Sequence, residues 1–568
     1  MWPCVSVAVG KRCVARRMCA GLIVLASVTP IQQAWAADKP NRLLVESNAD
    51  EMLVVAAEQD KKAPVDIGFG PGVKAPAASK NRTSPAAAGP VQTPRGPSNA
   101  HTTGVFGPEF GWPIIPIHAV LVPTGQVMSY GTNQLGQQGA QYFYDVWEPA
   151  LGTDANAHNL LPNTTPTDLF CSGQTLMWTT GNVLLTGGDQ TVNGQRNYPR
   201  PDTNLFTPST NALTQNTPMH YPRWYDTPVA LPNGDVLVLG GRTNRTAPQY
   251  ATVPELFNPA TGWTALTGAA SSQAFSYWMG WYYPQAMVIP NGKVFQLGFT
   301  GHMFLIDPTG TGAITTVPSM APAGNYGLPS VQFSPGKLLA IRNNSQVVIV
   351  DATSGQPVIT PTANIDQVRY WANGTVLADG TVLVTGGSAG FDTLQGVDYT
   401  AEMWNPATGQ WTAGANAAVP RLYHSIALLM PDGSVLTGGG GSPGPLKNLN
   451  GEIFYPPYLY ANDGSGNPAV RPTIEWAPPR MSLSWPWLLF AVGQYDRIGR
   501  VTLVKLGSVT HARNFDQRFL NVTFKQFGDR VVAAVPSSPN VTLPGYYMLF
   551  AFNQNGTPSI ASIMLVTP

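Results

Sequence analysis

The segments ALPNGDVLVLGG (residues 230–241), VLADGTVLVTGG (376–387) and LLMPDGSVLTGG (428–439) follow one pattern. An apolar run meets Asn-Gly or Asp-Gly, a β-branched run follows, and a Gly-Gly pair ends the unit. Asn and Gly supply the positive φ angles of a tight two-residue turn, so each segment predicts a β-hairpin. The turn glycine recurs at Gly125, Gly181, Gly234, Gly292, Gly336, Gly380 and Gly433. Intervals run from 44 residues (Gly292 to Gly336) to 58 (Gly234 to Gly292). Several units add a strand that ends in Asn-Pro and a Trp, as in LFNPATGW (256–263) and MWNPATGQW (403–411).

Seven such units match kelch-type blades. One blade cannot bury both faces of its sheet, whereas a closed ring of blades can. The chain is therefore expected to be all-β, with a seven-bladed kelch-type β-propeller over residues 105–460. After a polar linker at 462–467, strand-like segments at 488–492, 500–505, 531–534, 545–552 and 559–566 predict a C-terminal immunoglobulin-like β-sandwich over 468–568.

Upstream of the repeat, Lys11, Arg12, Arg16 and Arg17 precede a short apolar run and Ala34-Trp35-Ala36. This order reads as a signal peptide over residues 1–36 and predicts a secreted or periplasmic protein. Residues 37–104 read as an Ala/Pro-rich leader or linker, with a short amphipathic stretch near 43–55. No later apolar run is long enough to span a bilayer. Lys plus Arg number 32 against 31 Asp plus Glu, and charged residues make up 11% of the chain. That balance gives no footprint for nucleic acid or an anionic membrane surface. A monomer is expected.

Of the four cysteines, Cys4, Cys13 and Cys19 fall within the predicted signal, which leaves Cys171 to the mature chain. A lone thiol in an oxidising compartment is either a buried small hydrophobe or a functional group. Its repeat phase bears on the choice. Cys171 lies ten residues before Gly181, and Tyr225 lies nine before Gly234. Tyr423 and His424 lie ten and nine before Gly433. Equivalent positions of a propeller repeat lie at the same end of the ring, near its axis. A thiol, two phenols and an imidazole should therefore converge there, a donor set that suits Cu(II). Adjacent Tyr423 and His424 would face opposite sides of a regular strand, so the chain must bend there for both to reach one metal. Aromatic residues at this phase also fill channel walls, as Tyr282, Tyr283, Tyr326, Tyr370 and Trp371 could. His118 is out of phase with the set and reads as structural.

The segment RLYHSIALLMPDGSVLTGGGGSPG (421–444) resembles the signature of the copper radical oxidases, galactose oxidase and glyoxal oxidase. FCSG (170–173) resembles the segment with that family's cross-linked cysteine, and RWYDTPVALPNGDVLVLGG (223–241) the one with its radical tyrosine. THARNFDQRFL (510–520) and PGYYMLFAFNQNGTPSIAS (544–562) resemble its C-terminal domain, which donates a further histidine. The resemblance spans residues 105–568. It implies one copper ion held by Tyr225, Tyr423, His424 and His511, with Cys171 and Tyr225 joined by a thioether as the radical cofactor. Tyr423 would be the base. The implied reaction takes a small aldehyde or primary alcohol and O2 to an oxidised carbonyl product and H2O2. His511 lies outside the repeat, so a loop of the last domain would have to reach down the channel.

One departure concerns the substrate. In galactose oxidase a tryptophan that follows the Gly-Gly pair stacks over the cross-linked ring. Here Gly240-Gly241 is followed by Arg242, Thr243 and Asn244. The RWY lead-in and the WYYPQ run (281–285) resemble the glyoxal oxidase type more closely, which leaves Trp281, Tyr282 and Trp371 as candidates for stacking or substrate contact. The competing readings are a non-catalytic propeller that binds glycans or proteins, and a sialidase-like glycosidase. The latter needs paired carboxylates and an arginine cluster at the axis, where this repeat places phenols and imidazoles.

Overall fold

The computed structural model describes residues 91–245, 249–276 and 279–568. The predicted signal peptide, the amphipathic stretch and the leader up to residue 90 lie outside the described residues. No helix among the described residues is long and apolar enough to cross a membrane.

The fold is an all-β, seven-bladed propeller followed by a C-terminal immunoglobulin-like β domain. Blade three shows why the repeat reads as it does. Its strands Asp226–Ala230, Val236–Gly240, Glu255–Asn258 and Gly262–Ala265 form an antiparallel meander. Leu237 and Leu239 face blade four, where they pack with Val288, Val294 and Phe304. Val236 and Val238 face blade two and pack with Met177 and Leu184. Both faces of the strand are thus buried, which explains an unbroken apolar run in place of alternation. Each of these side chains contributes about 1.5–3 kcal/mol by leaving water.

The Gly-Gly pairs sit where neighbouring blades meet. Gly386 has φ +67°, and a Cβ there would lie 2.5 Å from the Arg421 carbonyl oxygen of blade seven. Only glycine fits this left-handed, crowded position. Blades three, six and seven share a further device. Buried Arg223, Arg369 and Arg421 pair with Glu255, Glu402 and Glu452 at 2.9, 2.7 and 3.1 Å. Each guanidinium also donates to a glycine carbonyl at the end of its own blade's repeat unit, at Gly240, Gly386 and Gly439. These clamps fix the chain just before Tyr225, Trp371 and Tyr423.

The ring closes at blade seven. Strand Val105–Phe106 pairs with Asn450–Tyr455, Val105 opposite Tyr455 and Phe106 opposite Phe454. The residues that open the repeat in sequence therefore complete its last blade, because a closed ring leaves no unpaired edge there. In the C-terminal domain, two sheets share strand Phe519–Phe527 and enclose a core that includes Leu488, Phe490, Val501, Leu503, Val531, Tyr547 and Leu549. The three-residue strands Ile474–Trp476 and Arg480–Ser482 complete it; they are too short to show a period in sequence.

The hairpin of Ser508–Thr510 and Arg513–Asn514 leaves the C-terminal domain and joins the inner edge of blade one, with Thr510 opposite His118. The loop expected to reach the channel is thus an added pair of strands.

Candidate metal centre

The first strand of several blades is preceded by a residue in left-handed conformation. Cys171 (φ 57°), Tyr225 (φ 69°), Tyr283 (φ 37°), Trp371 (φ 66°) and His424 (φ 68°) hold this position in blades two, three, four, six and seven. Bulky side chains rarely adopt such angles, so each bend is held against local preference by its surroundings. At His424 the bend brings Tyr423 and His424 to the same side, their rings stacked at 3.7 Å. The bend expected between these two residues is present.

His511 and Ala512, with φ 47° and 59°, form the hairpin tip. Three tethers hold it. Thr510 Oγ1 donates to the Ile117 carbonyl at 2.9 Å. The Arg513 guanidinium donates to the carbonyls of Tyr283, Leu328 and Tyr326. Asp516 accepts from Thr175, Ser508 and Lys505.

Five of the sequence-derived residues meet at this buried point. The Tyr225 and Tyr423 hydroxyls are 2.8 Å apart. Cys171 Sγ lies 3.7 Å from His511 Nε2 and 4.0 Å from His424 Nε2. The His424 and His511 rings stand edge to face at 4.5 Å. Cys171 is buried and forms no disulfide. His424 Nδ1 bonds the Gly441 carbonyl at 2.7 Å, and His511 Nδ1 bonds Thr510 Oγ1. Each imidazole is oriented through Nδ1, which leaves Nε2 as the lone-pair donor facing the group.

Burial sets the charge state. It lowers the pKa of His424 to about 3, and lowers that of His511, with neighbouring His424 adding to the effect. It raises the Cys171, Tyr225 and Tyr423 groups above their ordinary values. Two neutral imidazoles, two phenols and a thiol thus share the site. A bound cation reverses this balance, because it favours ionised phenol and thiol oxygen or sulfur. The residues fit copper: two oriented imidazole nitrogens, two phenol oxygens and an adjacent sulfur.

The three candidate contact residues separate. Tyr282 stacks on the Tyr225 ring at 4.5 Å and 26°, and its hydroxyl donates to the Tyr423 hydroxyl at 3.4 Å. Trp281 meets Tyr225 edge-on at 5.9 Å. Trp371 packs on Tyr423 at 4.4 Å. The ring over Tyr225 therefore comes from blade four, not from the segment after Gly240-Gly241. His118 stacks on Tyr130 at 4.4 Å and touches His511 at 5.6 Å, and so packs behind the ligand set. Sequence reasoning missed Arg513 as a tether and Phe391, which meets Trp371 and Tyr326 at 5.3 and 5.6 Å. Phe391 lies on a loop outside the repeat phase, with no local signal to mark it.

A family model described as "Galactose oxidase-like, Early set domain" matches residues 471–566. The chain is 28% identical to galactose oxidase of Gibberella zeae over 509 residues, which cover 82% of this chain and 71% of that protein. It is 25% identical to the aldehyde oxidase GLOX of Vitis pseudoreticulata, over 75% of this chain and 87% of that protein. A solved copper complex of a fungal alcohol oxidase of the AA5 family superposes with a TM-score of 0.71 at 25% identity, covering 82% of this chain and all of that one. The chain is a homologue of the copper radical oxidases. The comparisons match galactose oxidase at least as well as the aldehyde oxidases, so they do not bear out the closer resemblance to the glyoxal type read from the RWY lead-in and the WYYPQ run.

Proposed function

We propose that this homologue of the copper radical oxidases oxidises small primary alcohols or aldehydes to aldehydes or acids and reduces O2 to H2O2. The observation that carries the reading is the convergence of Cys171, Tyr225, Tyr423, His424 and His511 on one buried point. His424 and His511 would hold copper through Nε2, and Tyr225 and Tyr423 through their phenol oxygens.

A two-electron oxidation needs two one-electron acceptors; the Tyr225 ring is one, and copper, when bound, supplies the other. Maturation forms a bond from Cys171 Sγ to the Tyr225 ring with loss of the thiol hydrogen and one ring hydrogen, and O2 accepts both as H2O2. The sulfur donates electron density to the ring and makes it easier to oxidise. The linked Cys171 also ceases to be a reactive thiol. In turnover the Tyr423 oxygen takes the hydroxyl proton of the alcohol, or of the hydrate that an aldehyde forms with water, and the oxidised Tyr225 takes a hydrogen atom from the adjacent carbon. His424 and His511, fixed through their Nδ1 partners, keep the reacting groups in register. Tyr282 stacks over Tyr225 and spreads contact across its ring. We also propose export of the chain, in keeping with the signal-like residues 1–36 and a single remaining sulfhydryl.

The test is copper loading followed by a peroxide assay with glyoxal, methylglyoxal, glycolaldehyde, galactose and benzyl alcohol. H2O2 release with at least one of these is expected. Copper-loaded protein that carries the Cys171–Tyr225 link and yields no peroxide from any of them would point to a non-catalytic propeller.

A further inference from the structure

Tyr225 is 4% exposed, which leaves little of its ring open to a bulky redox reagent dissolved in water. Several rings contact Tyr225, among them the buried Trp224 at 4.5 Å and Tyr283 at 5.2 Å, and two further lines run through blade four. One runs through Tyr282 to Tyr326 at 5.1 Å and Trp371 at 6.3 Å. All three rings are buried, and the line reaches half-buried residues at Phe391 and, beyond it, Tyr370 at 5.2 Å. Phenylalanine has neither a hydroxyl nor a ring nitrogen to stabilise the loss of an electron, so this line must pass an insulating ring before it reaches Tyr370.

The other line runs through Trp281, edge-on to Tyr225 at 5.9 Å. Tyr250 stacks on Trp281 at 5.4 Å and 17° and is half-buried, on the loop that follows Gly240-Gly241. Every ring of this line is oxidisable. Arg242, bridged to Tyr250 across the loop, holds its guanidinium 5.9 Å from the Trp281 ring centre. A cation there favours the neutral indole over its oxidised form. Trp281 is thereby suited to pass an electron without retaining the vacancy.

We infer that Trp281 and Tyr250 form an electron route between the Tyr225 ring and the half-buried loop of blade three that carries Tyr250. The inference rests on the reading of Tyr225 as the radical residue. In the oxidising direction, one electron leaves the Tyr225 phenolate and reaches a one-electron acceptor such as hexacyanoferrate(III), which becomes hexacyanoferrate(II). No bond forms or breaks. The phenol has already released its proton as a ligand, so no proton moves. A one-electron donor drives the same transfer in reverse.

The test mixes copper-loaded, cross-linked protein with hexacyanoferrate(III) and follows two signals: the fading of the oxidant and the rise of the phenoxyl absorption. Trp281→Phe and Tyr250→Phe are compared with the parent protein. Tyr250→Phe keeps the stacked ring and removes the hydroxyl that makes it readily oxidised, so it guards against a folding defect. Both variants should become oxidised several-fold more slowly and reach the same final absorption. Tyr250→Phe, once oxidised, should turn over substrate at the parent rate. Unchanged oxidation rates in either variant would overturn the route. A parent protein that consumes no oxidant and develops no phenoxyl absorption would overturn the radical reading of Tyr225, and the route with it.

Discussion

The Tyr225 amide donates a hydrogen bond to the Cys171 carbonyl at 3.0 Å. This bond joins the left-handed residues of blades two and three through their backbones, and so fixes the thiol beside the phenol before any chemistry. Copper and O2 should then remove two hydrogens from the pair. Peptide mapping by mass spectrometry is expected to find Cys171 and Tyr225 in one linked fragment, two hydrogens lighter than the sum of its parts. Cys171→Ala should bind copper, show no linked fragment and lose most of its turnover.

Tyr423, proposed above to take the substrate proton, has its hydroxyl 2.8 Å from that of Tyr225. Tyr423→Phe removes the proton acceptor and should lower kcat by roughly 10²–10⁴-fold, the range for loss of a positioned base. The Cys171–Tyr225 link should still form, and mass analysis of the variant checks this independently of turnover. An unchanged kcat would reassign the base.

Thr510 orients His511 through Nδ1 and also anchors the hairpin to the Ile117 carbonyl. Thr510→Val keeps the side-chain volume and removes both bonds. Copper affinity, read by competition against a chelator of known strength, should weaken by roughly 10–100-fold, the scale for loss of a partner behind a metal ligand.

The Arg421–Glu452 pair is buried on both sides. Glu452→Ala leaves a guanidinium without its counter-ion and should destabilise the fold by about 3–5 kcal/mol. A lowered thermal midpoint in the copper-free protein checks this. Arg421 lies two residues before Tyr423, so the same variant should also bind copper less tightly.

Tyr282 contributes a stacked ring to Tyr225 and a hydroxyl to Tyr423. Tyr282→Ala removes both and should shorten the lifetime of the oxidised form, read as the decay of its visible absorption. Tyr282→Phe keeps the stacking and should hold a lifetime near that of the parent. Equal decay in Tyr282→Ala and the parent would show that the stacked ring has no part in stabilising the radical.

The propeller and three of its site positions were legible because their signals are local. Hairpin turns fix the phase, and the phase places Cys171, Tyr225 and the Tyr423–His424 pair at one end of the ring. What escaped depends on contacts remote in sequence. The three-residue strand Ser508–Thr510 pairs with blade one, whose strand Pro116–Leu121 lies far earlier in the chain, and no local pattern announces that pairing. Family resemblance alone pointed to His511. Tyr282 was legible in part: it lies ten residues before Gly292, at the phase of Tyr423, and the left-handed bend at Tyr283 turns it inward, as the bend at His424 does for Tyr423. The closure of blade seven by Val105–Phe106 was hidden, since those residues read as the beginning of the first unit.

The hairpin inserted beside blade one also sets an order of events. Its histidine is the last of the five converging residues in chain order, and it reaches the others only after the C-terminal domain has been made and docked. A nascent chain at the ribosome therefore lacks a complete ligand set, however well its blades have formed. Under the function proposed above, metal uptake would be a late step that follows docking of this domain, and the peroxide formed in turnover would not be at hand while the chain is still being built.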